Sequence, residues 1–149
     1  MKKYLKKVVE SDCKILFQWS NEKLVRGNSF SSKAITFEEH MEWFKKRLGS
    51  NSCYLYIFCI DENPVGQVRL DVENEIGTIS YSLDKDYRGQ GLAIEMLELL
   101  ENQIYESNMK VKILKGYVKS GNLASQKVFQ RLQYDNKTEN NNFRFLKYL

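Results

Sequence analysis

The chain has 149 residues, 42% of them apolar and 28% charged, with a formal net charge of +4. That length suits a single domain, residues 1–149, with a sizeable core and is too short for two ordinary ones, while the residue balance excludes a disordered chain. No run approaches the roughly 20 apolar residues of a membrane span, and the scattered basic residues exclude a nucleic-acid surface while suiting a small anionic ligand.

Met1–Lys7 is basic, but no long apolar segment with a small-residue cleavage site follows, so the expected location is the cytoplasm. Residues 4–10 predict a first strand. Residues 12–20 place Ile15, Leu16 and Trp19 on one helical face, with Ser11 or Asp12 as the N-cap. Residues 27–35 read as a polar loop. Thr36-Phe37-Glu38-Glu39 is a capping-box signature, and the helix after it carries Phe37, Met41, Phe44 and Leu48 as an amphipathic stripe. Tyr54–Ile60 is a β-branched and aromatic run that ends in turn chemistry at Asp61-Glu62-Asn63-Pro64.

Two further strands, Val65–Val72 and Ile76–Leu83, flank the polar Glu73-Asn74-Glu75 and predict an antiparallel meander. Leu92–Tyr105 is the strongest helix, with Ala93, Leu97, Leu100 and Ile104 on one face. A strand follows at Val111–Val118, then a helix over 122–132 with Ala124, Val128 and Leu132 four apart. A hairpin closes the chain, 133–138 and 143–148, across Asn140-Asn141-Asn142. The order β-α-α-β-β-β-α-β-α-β-β is a mixed sheet with helices on its faces, an α/β (α+β) domain. Cys13, Cys53, Cys59 and the single histidine have no metal-ligand spacing, so no metal is expected, and Cys53 and Cys59 fit reduced core positions.

The segment that carries chemistry is Arg88-Gly89-Gln90-Gly91-Leu92-Ala93, between a strand and the strongest helix. Glycines let backbone approach a ligand, and unpaired amides at a helix start attract anionic oxygens. Two glycines before a helix also suit a plain structural turn. The loop is not a P-loop, lacking Lys-Ser or Lys-Thr after its last glycine, and it lacks the three-glycine dinucleotide fingerprint. Arg88-x-x-Gly91-x-Ala93 resembles the acetyl-CoA loop, Arg/Gln-x-x-Gly-x-Gly/Ala, of the GCN5-related N-acetyltransferase (GNAT) superfamily. Downstream, Asn122-x-x-Ser125-x-x-x-Phe129 resembles that superfamily's Asn-x-x-Ser-x-x-x-Tyr.

The resemblance covers nearly the whole chain. It implies a GNAT fold: a mostly antiparallel sheet of six to seven strands, about four flanking helices, and splayed fourth and fifth strands. It implies acetyl-CoA as cosubstrate, Tyr81, Ser82 and Leu83 pairing with the pantetheine arm, Arg88, Gly89, Gln90, Gly91, Leu92 and Ala93 cradling the pyrophosphate, and Asn122 and Ser125 placing the thioester end beside Phe129. The reaction implied is direct attack of an amine on the thioester. One departure stands out: Phe129 replaces the tyrosine that protonates the leaving thiolate, and phenylalanine has no proton to give. Tyr134 or Tyr117 is then the candidate donor. For the base, Ser80 and Ser82 share a strand face, Glu73 and Glu75 lie near that strand's start, and His40 alone titrates near neutrality.

In the superfamily the N-terminal third lines the acceptor site. Here Trp19-Ser20-Asn21-Glu22, Arg26, Ser29 and His40-x-x-Trp43 resemble a pattern in acetyltransferases of UDP-linked 4-amino sugars, as in pseudaminic acid biosynthesis. Ser20 stands where that pattern has arginine and Glu22 where it has aspartate. The resemblance implies a nucleotide-sugar acceptor held by Trp19, Asn21, Arg26, His40 and Trp43, in a monomer or homodimer. The same pattern also resembles the branch that acetylates ribosomal-protein N-termini, and Phe129 leaves a non-catalytic acetyl-CoA-binding module as a third reading.

Overall fold

The computed structural model describes residues 1–149. Seven strands form one sheet: β1 (Lys3–Lys7), β2 (Cys53–Ile60), β3 (Asn63–Glu73), β4 (Ile76–Leu83), β5 (Ile113–Val118), β6 (Asp135–Glu139) and β7 (Asn142–Tyr148). Their spatial order is β1-β2-β3-β4-β5-β7-β6. Every neighbouring pair is antiparallel except β4–β5. Five helices accompany this sheet: α1 (Cys13–Ser20), α2 (Lys23–Asn28), α3 (Phe37–Leu48), α4 (Leu92–Glu106) and α5 (Leu123–Arg131). None is long and apolar enough to cross a membrane.

The mixed, mostly antiparallel sheet is the predicted one, with one more helix than predicted. That extra helix is α2, six residues capped by Glu22, whose carboxylate accepts from the Val25 amide at 3.3 Å. A helix so short shows no periodicity to read.

β2 is buried on both faces, so its alternation serves two cores. Tyr56 and Phe58 join Val68, Leu70, Leu97, Leu100, Leu114, Phe129 and Phe145 under α4 and α5. Leu55, Ile57, Cys53 and Cys59 join Leu16, Trp19 and Phe44 under α1 and α3. Cys53 and Cys59 are buried free thiols. α4 buries all four residues of its predicted face, plus Leu92 and Met96.

Two helical faces are turned from the predicted ones. α3 buries His40 and Phe44 while Phe37 is 43% exposed, because Phe17 of α1 meets the rings of both Phe37 and His40 at the rim. α5 buries Phe129, whose ring stacks on Phe145 at 5.1 Å, and leaves Ala124 exposed.

Tight turns fix the register. Asn74-Glu75 joins β3 to β4 and Asn140-Asn141 joins β6 to β7, all four residues at positive φ (52°, 65°, 52° and 64°), as two-residue hairpins with the sheet's twist require. The turn after β2 is only Asp61-Glu62; Asn63 and Pro64 already pair with Ile60 and Cys59, beside a register shift that tolerates a proline.

The feature that positions the site is the short parallel pairing. β4 and β5 pair only at Ile76↔Ile113, Gly77↔Leu114 and Thr78↔Lys115. Past Thr78 the strands part, and the wedge opens toward the loops that follow both strands.

Candidate active site at the splayed strands

At the mouth of the wedge, β4 runs into Asp84, whose carboxylate accepts from the Asp86 amide at 3.0 Å and the Trp19 indole N–H at 2.9 Å. These two donors hold its carboxyl below the usual carboxylate range. Gly89 and Gly91 then take φ of 77° and 75°, a region where a side chain costs about 1–2 kcal/mol. Open space lies where their Cβ atoms would be. The amides of Gly89, Gln90, Gly91, Leu92 and Ala93 donate to no other backbone atom. They gather at the N-terminus of a 15-residue helix with no side-chain cap. The one acid in its first turn, Glu95, is paired with Lys3 at 2.8 Å. This is an exposed anion cradle sized by backbone, and it fits a diphosphate.

Arg88 enters the loop differently. Its Nη2 donates to Glu22 at 2.8 Å and to the Leu83 carbonyl at 3.0 Å, so the side chain ties the loop to the α2 cap. The Arg88 guanidinium holds the Glu22 carboxyl below its ordinary value.

Inside the wedge, Tyr81 and Leu83 face α4 and α5. The Tyr81 hydroxyl reaches across to the Ser125 hydroxyl on α5. Burial pushes the Tyr81 phenol up to about 12, against the lowering effect of Ser125. Asn122 caps α5, its side-chain oxygen accepting from the Ser125 amide at 3.2 Å. The Phe129 ring is buried among Tyr81, Tyr134 and Phe145.

The remaining candidates are dispersed. Tyr134 donates its hydroxyl to Glu101 at 2.9 Å on the α4 side, where burial and then that carboxylate raise its phenol far above the usual range. Ser80 and Ser82 point to the opposite sheet face, and Ser82 accepts from Gln67 at 3.1 Å. Glu73 ends β3 and Glu75 lies in the β3–β4 turn, at the closed end of the wedge. Tyr117 lies on the face away from α5, 44% exposed, with the Lys115 ammonium 5.1 Å from its ring centre.

With this geometry, the sequence comparisons decide the family. The profile described as an acetyltransferase (GNAT) domain matches residues 4–135. The chain belongs to the GNAT acetyltransferases. No curated protein sequence matches it closely enough to count as a relative. Among solved structures, a domain from Methanocaldococcus jannaschii superposes with a TM-score of 0.87 at 18% identity, covering 99% of each chain. Aminoglycoside acetyltransferase AAC(6')-Ib, in complex with ribostamycin and coenzyme A, gives 0.84 at 16% identity, over 99% of this chain and 94% of that one. A spermidine N-acetyltransferase from Vibrio cholerae, in complex with CoA and spermine, gives 0.85 at 14% identity, over 98% and 95%. These likenesses establish the fold. As a GNAT enzyme the chain is an N-acetyltransferase that draws its acetyl group from acetyl-CoA, and the free amides beside Gly89 and Gly91 suit that cosubstrate's diphosphate.

At the residues expected to line the acceptor site, the GNAT chain uses its polar groups largely on itself. Trp19 is buried, with its N–H on Asp84. Asn21 exchanges two hydrogen bonds with the Ile35 backbone, at 2.7 and 2.9 Å. Arg26 donates to the carbonyls of Ser20, Ser31 and Lys33 and to the Ser29 hydroxyl, closing the loop after α2. His40 is buried between α1 and α3, its Nε2 3.0 Å from the Cys13 carbonyl, and burial lowers its pKa. Trp43 stands nearer the open sheet face, with the Arg47 and Arg69 guanidiniums 5.7 and 5.3 Å from its ring. Sequence reading missed Arg69, Asp71, Lys115 and Arg144, which share this face. Strand alternation in β3, polar at Gln67, Arg69 and Asp71, was the available signal.

Proposed function

We propose that this enzyme acetylates the primary amine of a small molecule that itself carries negative charge, with a UDP-linked amino-deoxy sugar acetylated at its 4-amino group as the candidate acceptor. The observation that supports this is the charge on the sheet face beyond α1 and α3. Arg69, Lys115 and Arg144 point out from β3, β5 and β7 beside Ser80 and Tyr117. The carboxylates among them are engaged: Asp71 by Arg47 and Arg69, Glu139 by Arg144.

A polycationic acceptor would meet like charge here, whereas a diphosphate or carboxylate would meet its complement. The exposed edge of Trp43 and the Tyr117 ring offer faces for a uracil or sugar ring. Acetyl-CoA supplies an activated thioester for attack by the neutral amine. Ser80 and Ser82 border the wedge on this face and serve to orient that amine. With no free carboxylate beside them, the amine loses its proton to solvent.

The test is thiol release from acetyl-CoA across a panel of amines at fixed pH. Turnover with a UDP-4-amino sugar is expected to exceed turnover with spermidine or kanamycin at least tenfold. Preference for either polycation, or acetylation of ribosomal-protein N-terminal peptides with none of the sugar, overturns the reading. Acetyl-CoA binding without thiol release on any amine would point to a non-catalytic module.

A further inference from the structure

The mechanism lacks a proton donor for the departing sulfur, and the geometry around Phe129 says why that position cannot supply one. The para carbon of its ring lies 2.5 Å from where a Cβ on Gly116 would sit, so the ring points end-on into the β5 backbone. The position is filled as core. Of the other phenols that sequence reading put forward, Tyr134 is committed to Glu101 and Tyr117 faces the opposite side of the sheet.

One phenol remains inside the wedge. Tyr81 lies on the stretch of β4 that has parted from β5, and its side chain crosses toward α5 to meet Ser125, one turn before Phe129. Asn122 fixes that first turn of α5, which aims the Ser125 hydroxyl at the phenol. A pantetheine arm lying along the unpaired β4 edge passes this hydroxyl pair. The Tyr81 phenol is protonated at every physiological pH, since burial pushes it up to about 12. The same burial raises a thiolate formed beside it, so donor and acceptor shift together.

We propose that Tyr81, held by Ser125, protonates the thiolate of CoA as it leaves; this rests on the acetyl-transfer reading of the site. The amine nitrogen forms a bond to the acetyl carbon, the carbon–sulfur bond breaks, and its electron pair goes to sulfur. Sulfur takes the Tyr81 proton, Tyr81 takes a replacement from water through the Ser125 hydroxyl, and the attacking nitrogen releases one proton to solvent. No net proton is gained or lost.

The experiment titrates the thiol of bound CoA by its ultraviolet thiolate absorbance, alongside steady-state kinetics, in the wild type, Tyr81→Phe and Ser125→Ala. In Tyr81→Phe, kcat is expected to fall roughly a hundredfold, as for loss of a general acid, with KM for acetyl-CoA changed less than about threefold. The acid dissociation constant of the bound thiol is expected to fall about tenfold, one pKa unit, because the thiolate loses a hydrogen bond. Ser125→Ala should move both readouts the same way by less. An unchanged bound-thiol titration in Tyr81→Phe, or an unchanged kcat, overturns the proposal. If the wild type binds CoA but acetylates no amine, the acetyl-transfer reading fails, and the titration still reports whether Tyr81 touches the sulfur. If it binds no CoA, both fail.

Discussion

Phe129 stands in the core where the family resemblance implied a catalytic tyrosine. Its ring closes a contact among Gly116, Tyr81, Tyr134 and Phe145, tightly packed against β5. Phe129→Tyr is therefore expected to cost about 1–3 kcal/mol through overpacking, read as a Tm several degrees lower, with no gain in kcat. A more active, equally stable variant would show that the wedge has room at this position. The absence of a proton at residue 129 was legible in the sequence, but the direction of the ring was not. That direction depends on Gly116, a residue thirteen positions away on β5, whose missing Cβ makes the pocket for it. Tyr81 was equally visible as a wedge residue, yet its partner on α5 emerges only from the packing of that helix.

Among the elements, α2 has the least sequence signal and sits at the busiest junction. Its cap Glu22 holds Arg88 on the loop after β4, and its Gly27 carbonyl accepts from Lys119 on the loop after β5, at 3.3 Å. The helix thus bridges the two lips of the wedge, linking the loop after β4 to the loop after β5. Glu22→Gln weakens one end of that bridge while leaving the Gly89–Ala93 amides in place. The acceptor KM is expected to rise severalfold with the acetyl-CoA Kd no weaker, checked by bisubstrate kinetics and calorimetry. A loss of acetyl-CoA affinity alone would place Glu22 in the cradle instead. Long periodic elements such as α4 were legible because six buried residues repeat at helical spacing. α3 and α5 were found but turned, since aromatic contacts from other elements set their final rotation. The region expected to take the acceptor is less legible still, because Asn21 and Arg26 look like ligand-binding groups and spend their hydrogen bonds on loop backbone.

At the scale of the whole molecule, stability near neutral pH depends on the chain's single histidine. Burial between α1 and α3 holds the His40 pKa below its ordinary value near 6.5, with the Cys13 carbonyl opposing. The stabilisation from keeping it neutral is full above that value. It is lost as pH falls from there through the folded-state pKa, because the unfolded chain accepts a proton that the fold refuses. Thermal melts should show Tm falling from pH 7 to 5.5, and His40→Gln should flatten that slope; an equal slope in the variant would assign it to carboxylates. The β3–β4 and β6–β7 hairpins, by contrast, were legible from their polar turns, while the insertion of β7 between β5 and β6 and the point where β4 and β5 part were not.

Both rims of that sheet carry charge. Lys3, Lys6 and Lys7 stand along β1, and β6, from Asp135 to Glu139, is exposed at every residue and bears Asp135, Lys137 and Glu139. A strand from a neighbouring molecule that docked on either rim would have to bring matching charge and strip water from it. These charges oppose lengthening of the sheet from outside. Concentrated solutions should resist fibrous aggregation until those rim charges are removed.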